Sequence, residues 1–425
     1  MTPALSRRDF ARSLAAGSAA VFAATLTDTE RALATTQPLR RSGAPDWLAI
    51  RERFLIADGL APLNAANLCP ASADVLAGLY EQTRAVDRDP SQQNRARFAE
   101  AKESLRRRLA SFLNVTPEEI LLTRNTSEAN NYVSAGIELK PGDEVVIFGD
   151  NHPSNHQAWR ERAKRYGFTV KIVEQVNPHP GPEYYVDAFK RALTPNTRIL
   201  GFTHLTNTTG DLFPAAEICR MAREQGVLTL LDGAQSFGMM NVDLQTIQPD
   251  FYSGSAHKWP CGAREVGVLY VRQSVQSKFW PSLYSAYTGS TGLSRTHEGM
   301  GQRDDAVFIA FDRALAFQLE VGRPLIEQRS RALAQALMEG VEKLPGVKLW
   351  TSRDPARSAA VLSFQPGTLD VGRLADALYQ RDRIAVATRR GTDRPGLRLS
   401  PHFYNLDEEI ERTVAALRGY LRSGV

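Results

Sequence analysis

Three observations predict an α/β fold in which a large domain with a mostly parallel sheet, covered by helices, carries a smaller C-terminal α/β domain. Short β-rich runs recur at residues 145–148, 169–174, 198–205, 227–231 and 266–272. Amphipathic segments of helical length, such as 215–225, lie between runs, and parallel neighbours need such crossover connections. A long helical pattern over 306–344, interrupted at Gly322-Arg323-Pro324, then leads to a second alternation of shorter strands and helices. In sheets of this kind ligands sit at the carboxyl ends of the strands.

The elements divide as follows. Residues 1–34 have the order of an export signal: the twin-arginine pattern Ser6-Arg7-Arg8-Asp9-Phe10, a weakly apolar stretch over 14–26, and Ala32-Leu33-Ala34 as the exit before Thr35. A frayed alanine-rich helix is the plainer alternative. The twin-arginine route carries folded proteins, which makes the export machinery an expected partner and the periplasm the expected location. Residues 35–70 look like a polar arm and irregular lead-in, rich in Pro, Gly and Asn. Residues 71–310 form the large domain, with helical periodicity over 91–113. Residues 311–425 hold a connector helix and the small domain, with strands at 360–364, 384–387 and 397–400 and helices at 370–381 and 407–421.

Composition excludes several classes. The formal charge of +5 over 425 residues is spread along the chain, so no nucleic-acid surface is expected. Arg106 to Arg108 is the densest basic cluster, and with Glu100 and Glu103 on the preceding turns it reads as a solvated helix face. Three cysteines, Cys69, Cys219 and Cys261, provide neither a disulfide framework nor zinc spacing, so no metal is expected. The 14–26 stretch is too short to span a bilayer, so no stable membrane association is expected after processing.

Chemistry concentrates in a few segments. Ser253-Gly254-Ser255-Ala256-His257-Lys258 places a lysine among small residues after a strand-like segment, where an amine is sterically open and burial lowers its pKa. Taken alone, such a lysine is more often merely solvated. Asp232, in Asp232-Gly233-Ala234-Gln235, ends a buried strand, where a carboxylate needs a partner. The pyridinium nitrogen of pyridoxal phosphate (PLP) suits it, because that ion pair keeps the ring an electron sink. Gln235 would reach the ring hydroxyl. Thr126 and Ser127 begin a helix whose free N–H groups and dipole suit a phosphate, although an N-cap explains the same residues.

The ordered set Thr126-Ser127, His152, Asn207, Asp232, Gln235 and Ser255-Ala256-His257-Lys258 resembles the class V aminotransferase superfamily of fold-type I PLP enzymes over roughly residues 65–425. The resemblance implies PLP as cofactor, with Lys258 as both the Schiff-base lysine and the proton shuttle at the substrate α-carbon. Thr126, Ser127, Ser255 and His257 would bind the phosphate, His152 would stack on the ring, and Asn207 would contact the ring oxygen beside Gln235. Within the superfamily the chain is similar to the isopenicillin N epimerase-like and cysteine desulfurase-like branch. Gly301-Gln302-Arg303-Asp304 looks like an element that supports the neighbouring subunit's site, with Gln302 in place of threonine, so a homodimer is implied. Arg398, in Leu397-Arg398-Leu399-Ser400-Pro401, matches the arginine that clamps the substrate carboxylate.

Desulfurases of this type carry a persulfide cysteine before that arginine, and residues 387–395 contain none. Cys261 reads as a small buried thiol. Arg389 and Arg390 would attract a second acidic group of the substrate or simply be solvated. The expected function is therefore a PLP enzyme working on the amino group of an amino acid or a peptide-borne amino acid, epimerase-like, with tailoring of a peptide natural product or siderophore as the setting. A carbon–sulfur lyase or aminotransferase of the same fold is the enzymatic alternative. An exported binding protein on this fold is the non-enzymatic one.

Overall fold

The computed structural model describes residues 39–425 apart from Ser42 and Thr392. The expected signal over 1–34 lies outside the described residues.

The lead-in passes through strand β1 (Ala61–Pro62) and then enters helix α1 (Ala73–Arg88), whose Ser72 cap accepts the Val75 N–H. Helix α2 (Gln92–Leu113) is capped in the same way by Ser91 and ends where Asn114 turns left-handed, with φ 57°. The large sheet then forms from β2 (Ile120–Thr123), β3 (Glu144–Phe148), β4 (Thr169–Val173), β5 (Thr197–Thr203), β6 (Leu228–Asp232), β7 (Phe251–Ser255) and β8 (Gly267–Val271). Between them run α3 (Thr126–Gly136), α4 (Pro153–Tyr166), α5 (Pro182–Ala192) and α6 (Ala215–Glu224).

The strand order is β2-β8-β7-β6-β5-β3-β4. Five neighbours, β7 to β4, pair in parallel, whereas β8 runs antiparallel to both β2 and β7. The reason lies in the connection. Only residues 256–266 separate β7 from β8, too few for a crossover helix, so the chain must reverse. β2 was not among the runs recognised in the sequence. Its four residues are buried on both faces, which leaves no alternation to read.

Helix α7 (Ala306–Val321) packs Phe308, Phe311, Ala314 and Leu315 into the core of the large sheet. Gly322, at φ 100°, breaks the chain before Pro324 and redirects it into α8 (Arg323–Glu342). The second unit is the antiparallel sheet β9-β10-β13-β12, from β9 (Val347–Leu349), β10 (Leu362–Pro366), β12 (Ala387–Arg389) and β13 (Gly396–Leu399). It is covered by α8, α9 (Val371–Asp382) and α10 (Asp407–Ser423), which share a core with Leu362, Leu378, Leu397 and Leu417. β11 (Ile384–Ala385) pairs in parallel with β1.

Between residues 61 and 69 the irregular lead-in does not hang free. Ser400 and Leu63 exchange backbone hydrogen bonds with their neighbours across the small domain, and Cys69 N–H donates to the carbonyl of His257 beside the large sheet. The segment therefore ties the two units together. Nor is the Arg106 cluster a solvated face. Arg107 is exposed and paired with Glu100, but Arg106 is wholly buried and donates to both oxygens of Glu298, to Glu103 and to the Ile120 carbonyl. Glu298 comes from 192 residues away, so local spacing with Glu103 had no means of announcing it. Burial opposes its ionisation, yet the Arg106 charge wins and holds the carboxyl at about 2.

Candidate active site

The carboxyl ends of β2, β3, β5, β6 and β7 converge on one cleft, because these strands run in one direction and each turn into the next segment opens there. Residues 124–127, 150–152, 204–209, 232–235 and 255–258 follow those ends. They include every residue expected from the sequence to hold the cofactor; Arg398, expected to meet the substrate, reaches in from β13 of the small domain.

Lys258 is buried. Burial lowers its pKa, the Asp232 charge raises it again and the Arg398 charge lowers it, leaving about 8. Asp232 is held from two sides: Asn130 Nδ2 donates to one oxygen at 2.8 Å and the Ala234 N–H to the other at 3.0 Å. Ser253 Oγ in turn donates to Asn130 Oδ1 at 2.8 Å. No cation pairs with the buried Asp232 within ion-pair distance among the described residues. That leaves its charge available to a positive group in the cleft.

At the start of α3, Ser255 Oγ accepts the Thr126 N–H at 2.8 Å and shares a hydrogen bond of 2.8 Å with Thr126 Oγ1. Ser127 Oγ lies 3.1 Å from Ser154 Oγ. Asn125 caps the helix by accepting the Glu128 N–H. Capping thus falls to Asn125, and Thr126, Ser127 and Ser255 cluster at the positive end of an eleven-residue helix, where a phosphate would be favoured. His257 is half-buried, and burial beside Lys258 takes its imidazole down to about 4, which keeps it neutral at ordinary pH.

His152 stands open in the cleft at the start of α4, its Nδ1 2.7 Å from Ser154 Oγ. The surrounding protein and then the Lys258 charge hold its imidazole below the usual range. A neutral, exposed ring suits stacking. Gln235 is more occupied than the sequence suggested: Nε2 donates to the Ala66 carbonyl at 3.0 Å and Oε1 accepts the Trp259 indole N–H at 2.9 Å. Its amide positions the lead-in segment against the lysine loop. One amide hydrogen remains for a ring oxygen.

Arg398 is buried between the units. Its Nη1 donates to the Asn207 carbonyl and its Nη2 to Asn64 Oδ1, each at 2.9 Å, while Nε has no partner. The cation is therefore fixed by neutral acceptors alone. Asn207 meets it through the backbone, not the side chain.

The model of the family described as aminotransferase class-V matches residues 64–413. The chain belongs to that family. Isopenicillin N epimerase of Amycolatopsis lactamdurans is 30% identical over 394 residues, spanning 88% of this chain and 98% of the relative. A probable cysteine desulfurase of Methanothermobacter thermautotrophicus is 27% identical, covering 82% and 92%. Among solved structures, a C-DES variant with glycine covalently linked to its PLP cofactor superposes with a TM-score of 0.81 at 22% identity, covering 87% of this chain and 98% of that one. Cysteine desulfurase from Thermococcus onnurineus superposes at 0.80 and 21%, covering 88% and 97%.

This class-V enzyme is accordingly PLP-dependent, and its residues fit the cofactor. The buried Asp232 carboxylate without a counter-ion suits the ring nitrogen, the α3 start suits the phosphate, and the lowered Lys258 amine suits the aldehyde. Asn64 and Asn130 were missed in the sequence. Asn130 was legible in principle, being one turn after Thr126 on the same helix face. Asn64 was not, since it lies 334 residues from the arginine it holds.

Cys261 is buried at φ 57°, its thiol pushed up by burial, and it lies in one apolar cluster with Cys69 and Tyr404. The Gly301–Asp304 element lies beside the cleft in its own chain: Arg303 donates to the carbonyls of Leu122, Thr123 and Glu265, and Gln302 Oε1 accepts from Arg95. With Cys69 and Arg124 it borders a groove of about 910 Å³ that Lys258 does not line.

Proposed function

We propose that this enzyme acts on the α-amino group of an amino acid, free or peptide-borne, by moving a proton at the α-carbon in the manner of an epimerase. The observation that carries the reading is the grouping of Asp232 and Arg398 with Lys258 around one cleft, both electrostatically coupled to the lysine. Bound PLP withdraws electrons from the substrate α-carbon. Asp232, fixed by Asn130 and the Ala234 N–H, holds its negative charge at one point of the cleft. Arg398 receives the carboxylate through N–H groups that its neutral partners leave free. Lys258, with an amine near neutrality in proton affinity, takes the α-proton from one face, and inversion follows when a proton is delivered to the other face. The hairpin between β12 and β13 has no cysteine, which argues against sulfur transfer through a protein persulfide.

The test is α-proton exchange in deuterated water over a panel of amino acids, read by mass and by chiral separation. Exchange that requires Lys258 supports the reading. Release of sulfur from cysteine with no exchange on any other amino acid would reassign the enzyme to carbon–sulfur lyases.

We also propose that the enzyme is exported folded by the twin-arginine route to the periplasm, on the order of motifs in residues 6–34. Peptide natural-product or siderophore tailoring fits that location. Replacing Arg7 and Arg8 by Lys should retain the protein in the cytoplasm, and normal periplasmic accumulation would refute the route. A homodimer is part of the same proposal, supported by the exposed Trp280, Tyr284 and Tyr287. A monomer on sedimentation at micromolar concentration would remove it.

A further inference from the structure

In the small-domain sheet, Ala387 lies opposite Arg398 and Arg389 lies opposite Gly396. Directly opposed residues share a face, and so do residues two apart on one strand. Arg389 and Arg398 therefore project from the same face as a diagonal pair, with Cα atoms roughly 7–8 Å apart by ladder geometry. Two like charges so placed repel, and a protein gains nothing from the pair unless an anion answers both.

The carboxylates nearby, Asp150 and Asp393, attract the Arg389 charge only from a distance, because both are ion-paired to Arg394. Asp150 is taken by Arg394, whose Nη1 and Nη2 reach its two oxygens at 3.2 Å each, and Asp393 accepts from Arg394 Nε at 2.8 Å. Arg389 itself has only a long contact of 3.4 Å to the Arg394 carbonyl, and no carboxylate forms an ion pair with it among the described residues. Arg398 is more than nine-tenths buried, bound to neutral oxygens, with Nε unpartnered. The Arg389 charge follows burial as the cause that brings Arg398 down to about 10, so the two guanidinium groups feel each other. Arg390, next in sequence, is exposed.

We infer that Arg389 and Arg398 form a two-carboxylate subsite, which makes the preferred substrate an amino acid or peptide residue with a second acidic group. Arg398 takes the carboxylate next to the reacting carbon, since it is the arginine that Lys258 senses, and Arg389 takes the second acid farther along the strand. This rests on the proposed action at an α-amino group and names the substrate class for it.

The test titrates the holoenzyme with L-glutamate, L-aspartate and L-norvaline, following the cofactor absorbance, and measures glutarate against butyrate by calorimetry. The wild type should bind glutamate or aspartate at least about tenfold more tightly than norvaline, a difference of about 1.4 kcal/mol. Glutarate should likewise exceed butyrate. Arg389→Gln should bring both ratios to within about threefold. Arg389→Lys should restore them in part, because the charge returns without the fork. Arg390→Gln should keep the wild-type ratios. Equal binding of norvaline and glutamate, or a preference that survives Arg389→Gln, overturns the subsite and leaves the reaction class standing. If no amino acid moves the cofactor band, the reaction class and the subsite fall together.

Discussion

Asn64 Oδ1 accepts a hydrogen bond from Arg398 Nη2 at 2.9 Å, joining the lead-in segment to a strand of the small domain. The bond sets where the guanidinium points, because Asn207 holds only its other arm, and on the proposed function that guanidinium is the carboxylate clamp. Asn64→Asp would place a permanent carboxylate on the clamp. Amino-acid binding should then weaken by roughly 2 kcal/mol or more, as the substrate must displace an internal ion pair. Asn64→Ala should weaken it less. Titrations followed by cofactor absorbance check the order, and Asn64→Asp binding as tightly as wild type would show that the clamp lies elsewhere.

Removing the clamp itself should leave the cofactor in place. Arg398→Ala is expected to retain the cofactor spectrum, since the residues that would hold the cofactor come from the large sheet, and to lose roughly 2–5 kcal/mol of substrate affinity. Arg398→Lys should recover part of this. Unchanged affinity in the alanine variant would transfer the role to Arg389.

The lowered lysine predicts a pH profile. In cofactor-free protein Lys258 is cationic below about 8 and neutral above it, so PLP uptake should rise with pH and flatten above that value instead of climbing toward 10.5. The neighbours shift the midpoint in opposite directions. Asp232→Asn removes a charge that stabilises the ammonium and should lower it; Arg398→Ala removes a repelling one and should raise it. Borohydride reduction of the holoenzyme should fix the cofactor mass on the Lys258 peptide. A label on Lys278, or midpoints that do not move, would displace Lys258 from this role.

Glu298 predicts a stability effect away from the cleft. Its folded pKa of about 2 lies below the ordinary 4.5, so its contribution is complete above 4.5 and is lost as pH falls toward 2. Glu298→Gln leaves Arg106 buried without its main partner and should cost roughly 3–5 kcal/mol at pH 7. The gap between the two proteins should narrow as the pH drops below 4.5. Urea unfolding at a series of pH values measures it, and a gap that widens in acid would contradict the assignment.

Much of the site was legible in the sequence because its residues sit at strand ends, where local patterns mark both the strand and the turn. Asp232 closes an apolar run, and Lys258 follows small residues after another; each signal lies within a few positions of its element. The alternation of strands and helices likewise predicts the parallel sheet and the end at which ligands gather. What only the tertiary structure decided are relations across long separations. Asn64 on Arg398, Glu298 on Arg106 and the shared face of Arg389 and Arg398 depend on how strands register and how the lead-in threads between the units. Register and long-range pairing come from the packing of whole faces, and a single residue in the linear chain has no record of which partner that packing will bring to it.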